Sequence, residues 1–163
     1  MSKKVAEYGV FIALALILSY VESLIPINFA IPGIKLGLAN LVIIIALDRV
    51  SYIEALALSV IRVLLSGFMF GNMMMIIYSL AGGILSLLVM GALKKLDLHS
   101  ITAISIAGGV AHNVGQLVVA MLVVSTWQIA YYAPILILSG LVTGLVIGIL
   151  ANEIIKRIKK LNV

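Results

Sequence analysis

The stretch ESLIPINFAIPGIKLGLANL, residues 22–41, interrupts an otherwise almost continuously apolar sequence with two prolines and several polar side chains. Pro26 and Pro32 each fix a backbone angle and lack an amide donor, and Gly33 tolerates angles that other residues avoid. We therefore predict irregular backbone over residues 25–33, between two helices. The polar side chains around it are Glu22, Asn28, Lys35 and Asn40. Because unpaired polar groups are costly in apolar surroundings, this segment is the first candidate for a ligand site.

The composition predicts an integral membrane protein. Hydrophobic residues make up 64% and charged residues 10% of the 163 residues, whereas soluble domains are about half apolar and about a quarter charged. The chain is predicted to be a single all-α, polytopic domain, residues 1–163, with six transmembrane helices at residues 5–25, 34–47, 51–70, 73–93, 101–125 and 128–155. The second run is too short to cross a hydrocarbon core of about 30 Å unaided, so the proline-containing segment should dip inward to meet it.

The basic residues predict the orientation in the cell membrane. Six spans place both termini on one side, and nine of the 11 basic residues then lie on that side: Lys3, Lys4, Arg49, Lys94, Lys95, Lys156, Arg157, Lys159 and Lys160. The positive-inside rule makes this side cytoplasmic. The net charge of +5 is therefore a topology signal in a lipid bilayer, and no nucleic-acid partner is expected. Lys35 and Arg62 are the exceptions and need another explanation.

Arg62 is the most informative of the polar groups inside the spans. An arginine near the bilayer centre costs about 2.5 to 3.5 kcal/mol on insertion scales, so Arg62 should face protein or a water-filled cavity, with Glu22 as its counter-ion. The charges of Lys35, Arg62 and Glu22 sum to about +1, which favours an anionic ligand. The alternative is that Arg62 and Glu22 only lock helices together.

The candidate ligand-binding residues share a position in the predicted outer half of the bundle. They are Glu22, Asn28, Lys35, Asn40, Arg62, Asn72, Tyr78, His112, Asn113 and Gln116. On the fifth span His112 and Gln116 are four residues apart and share a helix face, while Asn113 points about 100° away.

Catalytic and metal chemistry find little support in the sequence. No Ser-His-Asp set can be argued, and with two histidines, no cysteine and no paired carboxylates no metal-ligand spacing stands out. The chain also lacks a Gly-rich, Lys-containing phosphate loop, so it is not expected to hydrolyse ATP itself. We assign no catalytic residue, metal or cofactor.

Small residues four apart mark two helices for close packing. The first span has Gly9 with Ala13 and Ala15 with Ser19. The last span has a stripe of Gly140, Gly144 and Gly148, which we expect to pack within the bundle.

Four long runs carry a family resemblance: ESLIPINFAIPGIKLGLANL (22–41), RVLLSGFMFGN (62–72), YSLAGGILSLLVM (78–90) and GVAHNVGQLVVA (109–120). They resemble the small membrane family labelled both Gx transporter and heptaprenyl diphosphate synthase component I, over essentially the whole chain. That family is similar in size and six-span layout to the substrate-binding S components of energy-coupling factor transporters. The resemblance implies an S-component-like bundle whose outer half holds a small ligand.

The resemblance also implies partners. An S component docks through span one on a transmembrane T component driven by two ATP-binding cassette ATPases, which makes Gly9, Ala13, Ala15 and Ser19 the candidate docking residues. S components typically show Ala-x-x-x-Ala there, whereas this chain has Gly9-x-x-x-Ala13 and Ala15-x-x-x-Ser19.

Two functions follow from these observations. The first is a substrate-binding membrane subunit for uptake of a small, anionic or amphipathic, metabolite or vitamin-like compound. The alternative is a non-catalytic membrane partner in heptaprenyl diphosphate or quinone synthesis. Prenyl diphosphate synthases resemble one another in Asp-rich motifs, and this chain has no Asp-Asp pair, so we do not expect it to be an enzyme.

Overall fold

The computed structural model describes residues 2–25, 37–96 and 100–161. Within these ranges the chain forms six α-helices and no strand, which confirms the predicted all-α fold. The helices are α1 (Ser2–Leu24), α2 (Leu38–Arg49), α3 (Tyr52–Phe70), α4 (Met73–Lys95), α5 (Ile101–Val124) and α6 (Ala133–Leu161), with a 3-10 helix at Trp127–Tyr132 before α6.

Five of the six helices are long and apolar enough to cross a membrane. The exception is α2, which has 12 residues and a length of about 18 Å, so the prediction that it cannot span alone is confirmed. It begins directly after Gly37, whose φ of 73° lies in the left-handed region that favours glycine. Asn28, Lys35 and all of the predicted irregular segment except Ile25 lie outside the described residues.

The start of the last helix differs from the prediction. We expected a span from residue 128, but residues Trp127–Tyr132 form the 3-10 helix and α6 starts at Ala133. Pro134 accounts for this start, because proline is well tolerated in the first turn of a helix, where its missing amide would have no intrahelical partner. Trp127 and Tyr131 remain largely exposed, as expected of aromatic rings at a membrane interface.

Polar contacts gather the helix ends at one end of the bundle, which we call the basic end. Lys159 of α6 pairs with Asp48 of α2 at 3.6 Å. Lys94 of α4 donates a hydrogen bond to the Leu47 carbonyl, and the Tyr8 hydroxyl of α1 donates to Glu54 at the start of α3. The start of α1 and the end of α6 therefore lie at the same end.

The helices α1 and α3 run parallel and in contact, and α2 packs against α1 in the antiparallel direction. Tyr8 meets Glu54 at the basic end, and twelve residues further along α1 the ring of Tyr20 lies 5.0 Å from that of Phe70, centroid to centroid. The return of the chain from α1 to α2 is marked by a hydrogen bond between Glu22 and Gly37.

The helices α5 and α6 touch backbone to backbone through glycines. A Cβ on Gly144 would lie 2.7 Å from the Cα of Ile106, and one on Gly148 would lie 2.7 Å from the Cα of Thr102. Gly140 approaches the carbonyl oxygen of Gly109 in the same way, at 2.8 Å. These distances confirm that the glycine stripe of the last helix packs within the bundle.

The apolar core occupies the half of the bundle nearer the basic end. It is built from the last two turns of α2, the start of α3 and α5, and the end of α4 and α6, with Ile45, Leu58, Leu87, Ile104 and Ile155 among its members. The other half contains the buried arginine and amide side chains. The fold thus separates an apolar half from a polar half, and the candidate site lies in the polar one.

Candidate functional site

Arg62 lies at the centre of the polar half. Its side chain is only 9% exposed, on the face of α3 that packs in the bundle. The Nη2 atom donates a hydrogen bond to Asn40 Oδ1 at 3.2 Å, and Asn40 belongs to the first turn of α2. The arginine is therefore held against the start of the short helix.

Glu22 approaches the same helix start from α1. Its Oε1 accepts a hydrogen bond from the Gly37 amide at 2.7 Å. A carboxylate is stabilised there by the partial positive charge that a helix carries at its N-terminus. We call Glu22, Gly37, Asn40 and Arg62 the Arg62 layer.

Glu22 and Arg62 interact electrostatically without direct salt-bridge contact. The ion pairs in the described part of the chain are Lys156–Glu153 and Lys159–Asp48. The predicted pair is thus brought into one layer, with each member bonded to the start of α2.

Arg62 and Gln116 are two of the buried polar side chains that carry an unsatisfied atom. Arg62 Nε has no hydrogen-bond partner among the described residues, and neither has Gln116 Oε1 on α5. A buried polar atom left unpaired costs about 1 to 3 kcal/mol. One atom needs an acceptor and the other needs a donor.

The helix registers place Arg62 and Gln116 at the same height in the bundle. Across α3 and α4, Gly91 lies against Tyr52 and Gly67 lies against Ile76, so Arg62 is level with Ala81. Across α4 and α5, Gly115 lies against Ala81 and Gly82, so Ala81 is level with Gly115 and its neighbour Gln116.

The polar side chains of α5 divide between two faces, as predicted. A Cβ on Gly82 would meet Gln116 Cγ at 2.9 Å and His112 Cε1 at 3.0 Å, so both side chains face α4. Asn113 faces α6 instead, where its Nδ2 donates to the Leu136 carbonyl at 2.7 Å. Asn113 therefore joins α5 to α6 rather than facing the Arg62 layer.

Two further predicted residues lie on α4. Asn72 is exposed and caps the helix, since its side chain accepts a hydrogen bond from the Met75 amide at 2.8 Å. Tyr78 is half-buried and lies one turn before Gly82, which faces His112 and Gln116. The structure thus gives Asn72 a local role at the helix start and leaves Tyr78 beside the candidate site.

A small cavity with both polar and apolar lining continues from the Arg62 layer toward the apolar half. It is lined in part by Gly37, Asn40, Ser86, Ser105 and Thr143, and its volume is about 30 Å³. A water molecule requires roughly 10 to 15 Å³ on this measure, whereas sites for small-molecule ligands are about 300 Å³ or larger. The cavity can hold water but not a metabolite in the conformation described.

A larger concavity of about 560 Å³ lies between α4, α5 and α6. Its walls are apolar, with Ala103, Ala107 and Ala111 along α5. None of the predicted polar site residues lines it, so it offers no group that could recognise a charged ligand.

The predicted docking residues of α1 fall on two faces. Gly9 and Ala13 are exposed, and a Cβ on Gly9 would meet nothing within 4 Å. Ala15 is 1% exposed and Ser19 is half-buried. Because two residues along a helix are about 200° apart, Ala13 and Ala15 cannot share one docking face. A bulky residue at Ala15 is therefore expected to disturb the bundle, and the four predicted docking residues do not form one exposed face.

Sequence reasoning missed several polar groups. The Gly37 amide, which binds Glu22, has no side chain to mark it. Glu54 stands three residues after Ser51, which is the signature of a capping box, and it forms that box and also binds Tyr8. The buried hydroxyls of Ser86 and Ser105 were detectable as isolated polar residues in apolar helices.

The groups in the Arg62 layer suit recognition of an anion. Guanidinium and amide donors are fixed beside a helix N-terminus, and such groups bind carboxylate and phosphate oxygens. Among the described residues, no group of three His, Asp or Glu side chains is arranged to hold a metal ion.

The same residues fall within a known family. The sequence model of the family described as heptaprenyl diphosphate synthase component I matches residues 11–154. The chain belongs to this family. The matched residues include Glu22, Arg62 and Gln116, so the candidate site lies within the region that matches the family model. Comparisons with curated proteins and with solved structures found no match.

Proposed function

We propose that the protein is the substrate-binding membrane subunit of an uptake system and that Arg62 binds the anionic group of a small amphipathic metabolite or vitamin-like compound. The observation that supports this most directly is the buried Arg62 guanidinium, whose Nε has no partner among the described residues. An arginine that only locked helices together would gain stability from a complete set of partners.

Gln116 refines the ligand chemistry. Its Oε1 is buried without a partner in the described part of the chain, and the helix registers place it level with Arg62. A ligand that accepts from the arginine and donates to Gln116 satisfies both atoms. A carboxylate or phosphate next to a hydroxyl or amine has this pair of functions.

The orientation follows from the charges of the basic end. Lys94, Lys95, Lys156 and Lys159 lie on or beside it, and the positive-inside rule then directs it to the cytoplasm. The Arg62 layer lies in the half that faces outward, where it can receive ligand from outside the cell. Energy for uptake comes from a T component and two ATP-binding cassette ATPases.

The experiment that tests this function is mass spectrometry of the small molecules retained by the purified full-length protein. We expect an anionic compound that is lost from the Arg62→Gln variant and kept by Arg157→Gln, which removes the same charge from an exposed position. The wild-type protein and the Arg157→Gln control are both prepared directly from native membranes. If neither of them retains an anionic compound, the uptake role is contradicted.

The family description favours a second function, a non-catalytic membrane partner in heptaprenyl diphosphate or quinone synthesis. In that role the polar side chains only hold the helices together. The protein then serves as a non-catalytic partner of a separate synthase. Affinity purification from native membranes separates the two roles. Uptake predicts co-purification of a T component with two ATPases, and the alternative predicts a prenyl synthase whose activity increases when this protein is added.

A further inference from the structure

The carboxylate of Glu22 occupies a position suited to an anionic ligand. Its Oε1 accepts the hydrogen bond of the Gly37 amide at 2.7 Å, from 15 residues earlier in the chain. No side chain of α2 itself caps this helix start. The first turn of a 12-residue helix is thus capped by an anion that belongs to another helix.

The guanidinium of Arg62 converges on the same helix start. The side chain is nine-tenths buried, Nη2 is bonded to Asn40 in the first turn, and Nε is unpaired among the described residues. Helix amides and a guanidinium together form an anion-binding arrangement that a single carboxylate does not saturate.

We propose that Glu22 is an internal competitor for this site. In the ligand-free protein its carboxylate binds the start of α2, and the carboxylate or phosphate group of the ligand replaces it there while also accepting from Arg62. This inference rests on the proposed role of Arg62 in ligand binding. It adds that a ligand must bind the start of α2 and Arg62 more favourably than Glu22 does in order to occupy the site.

The charges of Glu22 and Arg62 explain how Glu22 opposes the binding of an anion. Glu22 and Arg62 nearly cancel, so an entering anion is repelled by Glu22 as well as attracted by the guanidinium. Glu22 is only half-buried, so its carboxylate can be hydrated once it leaves Gly37. Only ligands with several strong acceptor oxygens gain enough from Arg62 and the helix start to displace it.

The test is a titration of the purified full-length protein with inorganic phosphate, followed by calorimetry and by the melting temperature. Glu22→Gln removes the charge, while its amide oxygen still accepts from Gly37. Glu153→Gln is the matched control, because it removes a carboxylate from a side chain that is 57% exposed. We expect phosphate to bind Glu22→Gln about tenfold more tightly than wild type, with Glu153→Gln unchanged.

The outcomes separate this inference from the proposed function. Tighter binding by Glu22→Gln, or binding by that variant alone, supports the competitor. Unchanged or weaker binding by Glu22→Gln, with binding weakened about tenfold or more in Arg62→Lys, overturns the competitor and leaves the Arg62 site intact. Binding by neither wild type nor Glu22→Gln overturns both.

A second variant, Glu22→Asp, keeps the test informative if Glu22→Gln does not fold. Glu22→Asp keeps the charge but is one methylene shorter, so it withdraws from the Gly37 amide. We expect its phosphate affinity to lie between those of wild type and Glu22→Gln. An affinity for phosphate equal to that of wild type contradicts the competitor.

Discussion

Arg62 on α3 and Asn40 in the first turn of α2 are joined by a hydrogen bond of 3.2 Å between Nη2 and Oδ1. The bond links the one buried cation of the described helices to the one helix that is too short to cross a membrane. Any group that binds the arginine therefore acts on the position of α2 as well.

Replacing Arg62 with lysine separates ligand binding from helix locking. Lysine keeps the charge but cannot form two parallel hydrogen bonds to one anion. We expect Arg62→Lys to weaken ligand retention about tenfold or more, with a small change in melting temperature. Retention is measured by mass spectrometry of the purified protein, and unfolding by a thermal scan.

Arg157→Lys is the control for that experiment, since Arg157 is exposed near the end of α6. It should behave like wild type in both measurements. Full retention by Arg62→Lys, together with a lower melting temperature, would show that Arg62 only locks helices.

Gln116→Leu tests the second unsatisfied atom. Removing a buried acceptor that lacks a partner in the described chain should leave the free energy of unfolding unchanged or raise it by up to about 1 kcal/mol. Ligand retention should fall, because the donor group of the ligand loses its acceptor. A large loss of stability would indicate that Gln116 has a structural role instead.

Asn113→Leu provides the contrast on the same helix. This change removes the 2.7 Å hydrogen bond to the Leu136 carbonyl and should lower the free energy of unfolding by about 1 to 2 kcal/mol. Ligand retention should persist at temperatures well below the transition. Loss of ligand from a fully folded Asn113→Leu protein would place this residue in the site after all.

Gly144→Ala tests the contact between α5 and α6. The new methyl group would lie 2.7 Å from the Cα of Ile106, and backbone atoms cannot move aside as a side chain can. We expect a loss of about 1 to 3 kcal/mol in the free energy of unfolding, measured by denaturant titration in detergent. Gly9→Ala, where a Cβ meets nothing within 4 Å, should be neutral or slightly stabilising. Equal effects in the two variants would refute the contact.

Ala13→Leu tests the outer face of α1 as a docking surface. The residue is exposed, so the isolated protein should keep its melting temperature while co-purification with a T component falls. Ala92→Leu, at an exposed position on α4, is the control and should not affect co-purification. Ala15→Leu should lower the melting temperature, because Ala15 is buried. Unchanged co-purification of Ala13→Leu would remove this face from the interface.

Most of the fold could be predicted from hydrophobic run lengths. The runs that became α3, α4 and α5 start and end within a few residues of the predicted positions, because apolar length and flanking polar residues decide where a membrane helix lies. The start of α6 could not be predicted in the same way. The residues before Pro134 include Gln128 and two tyrosines, but they continue the apolar run, and run length alone does not distinguish a 3-10 turn from the helix that follows.

The candidate site was predictable in part. The position of Arg62 deep within a predicted span marked it as a candidate, and the angular spacing on α5 correctly separated Asn113 from His112 and Gln116. The bond between Glu22 and the Gly37 amide was not predictable, since a backbone donor leaves no mark in the sequence. The role of Asn72 as a helix cap was visible in its position before α4, but its polarity suggested a ligand role instead.

The shortness of α2 has a consequence for how the protein enters a membrane. A 12-residue helix falls well below the roughly 20 residues that a membrane-insertion machinery recognises as a complete span. We expect α2 to be incorporated only together with α1 and α3, which already flank it. The start of the short helix, with its arginine and glutamate, then becomes part of the protein as the neighbouring spans assemble, without ever being exposed alone to lipid.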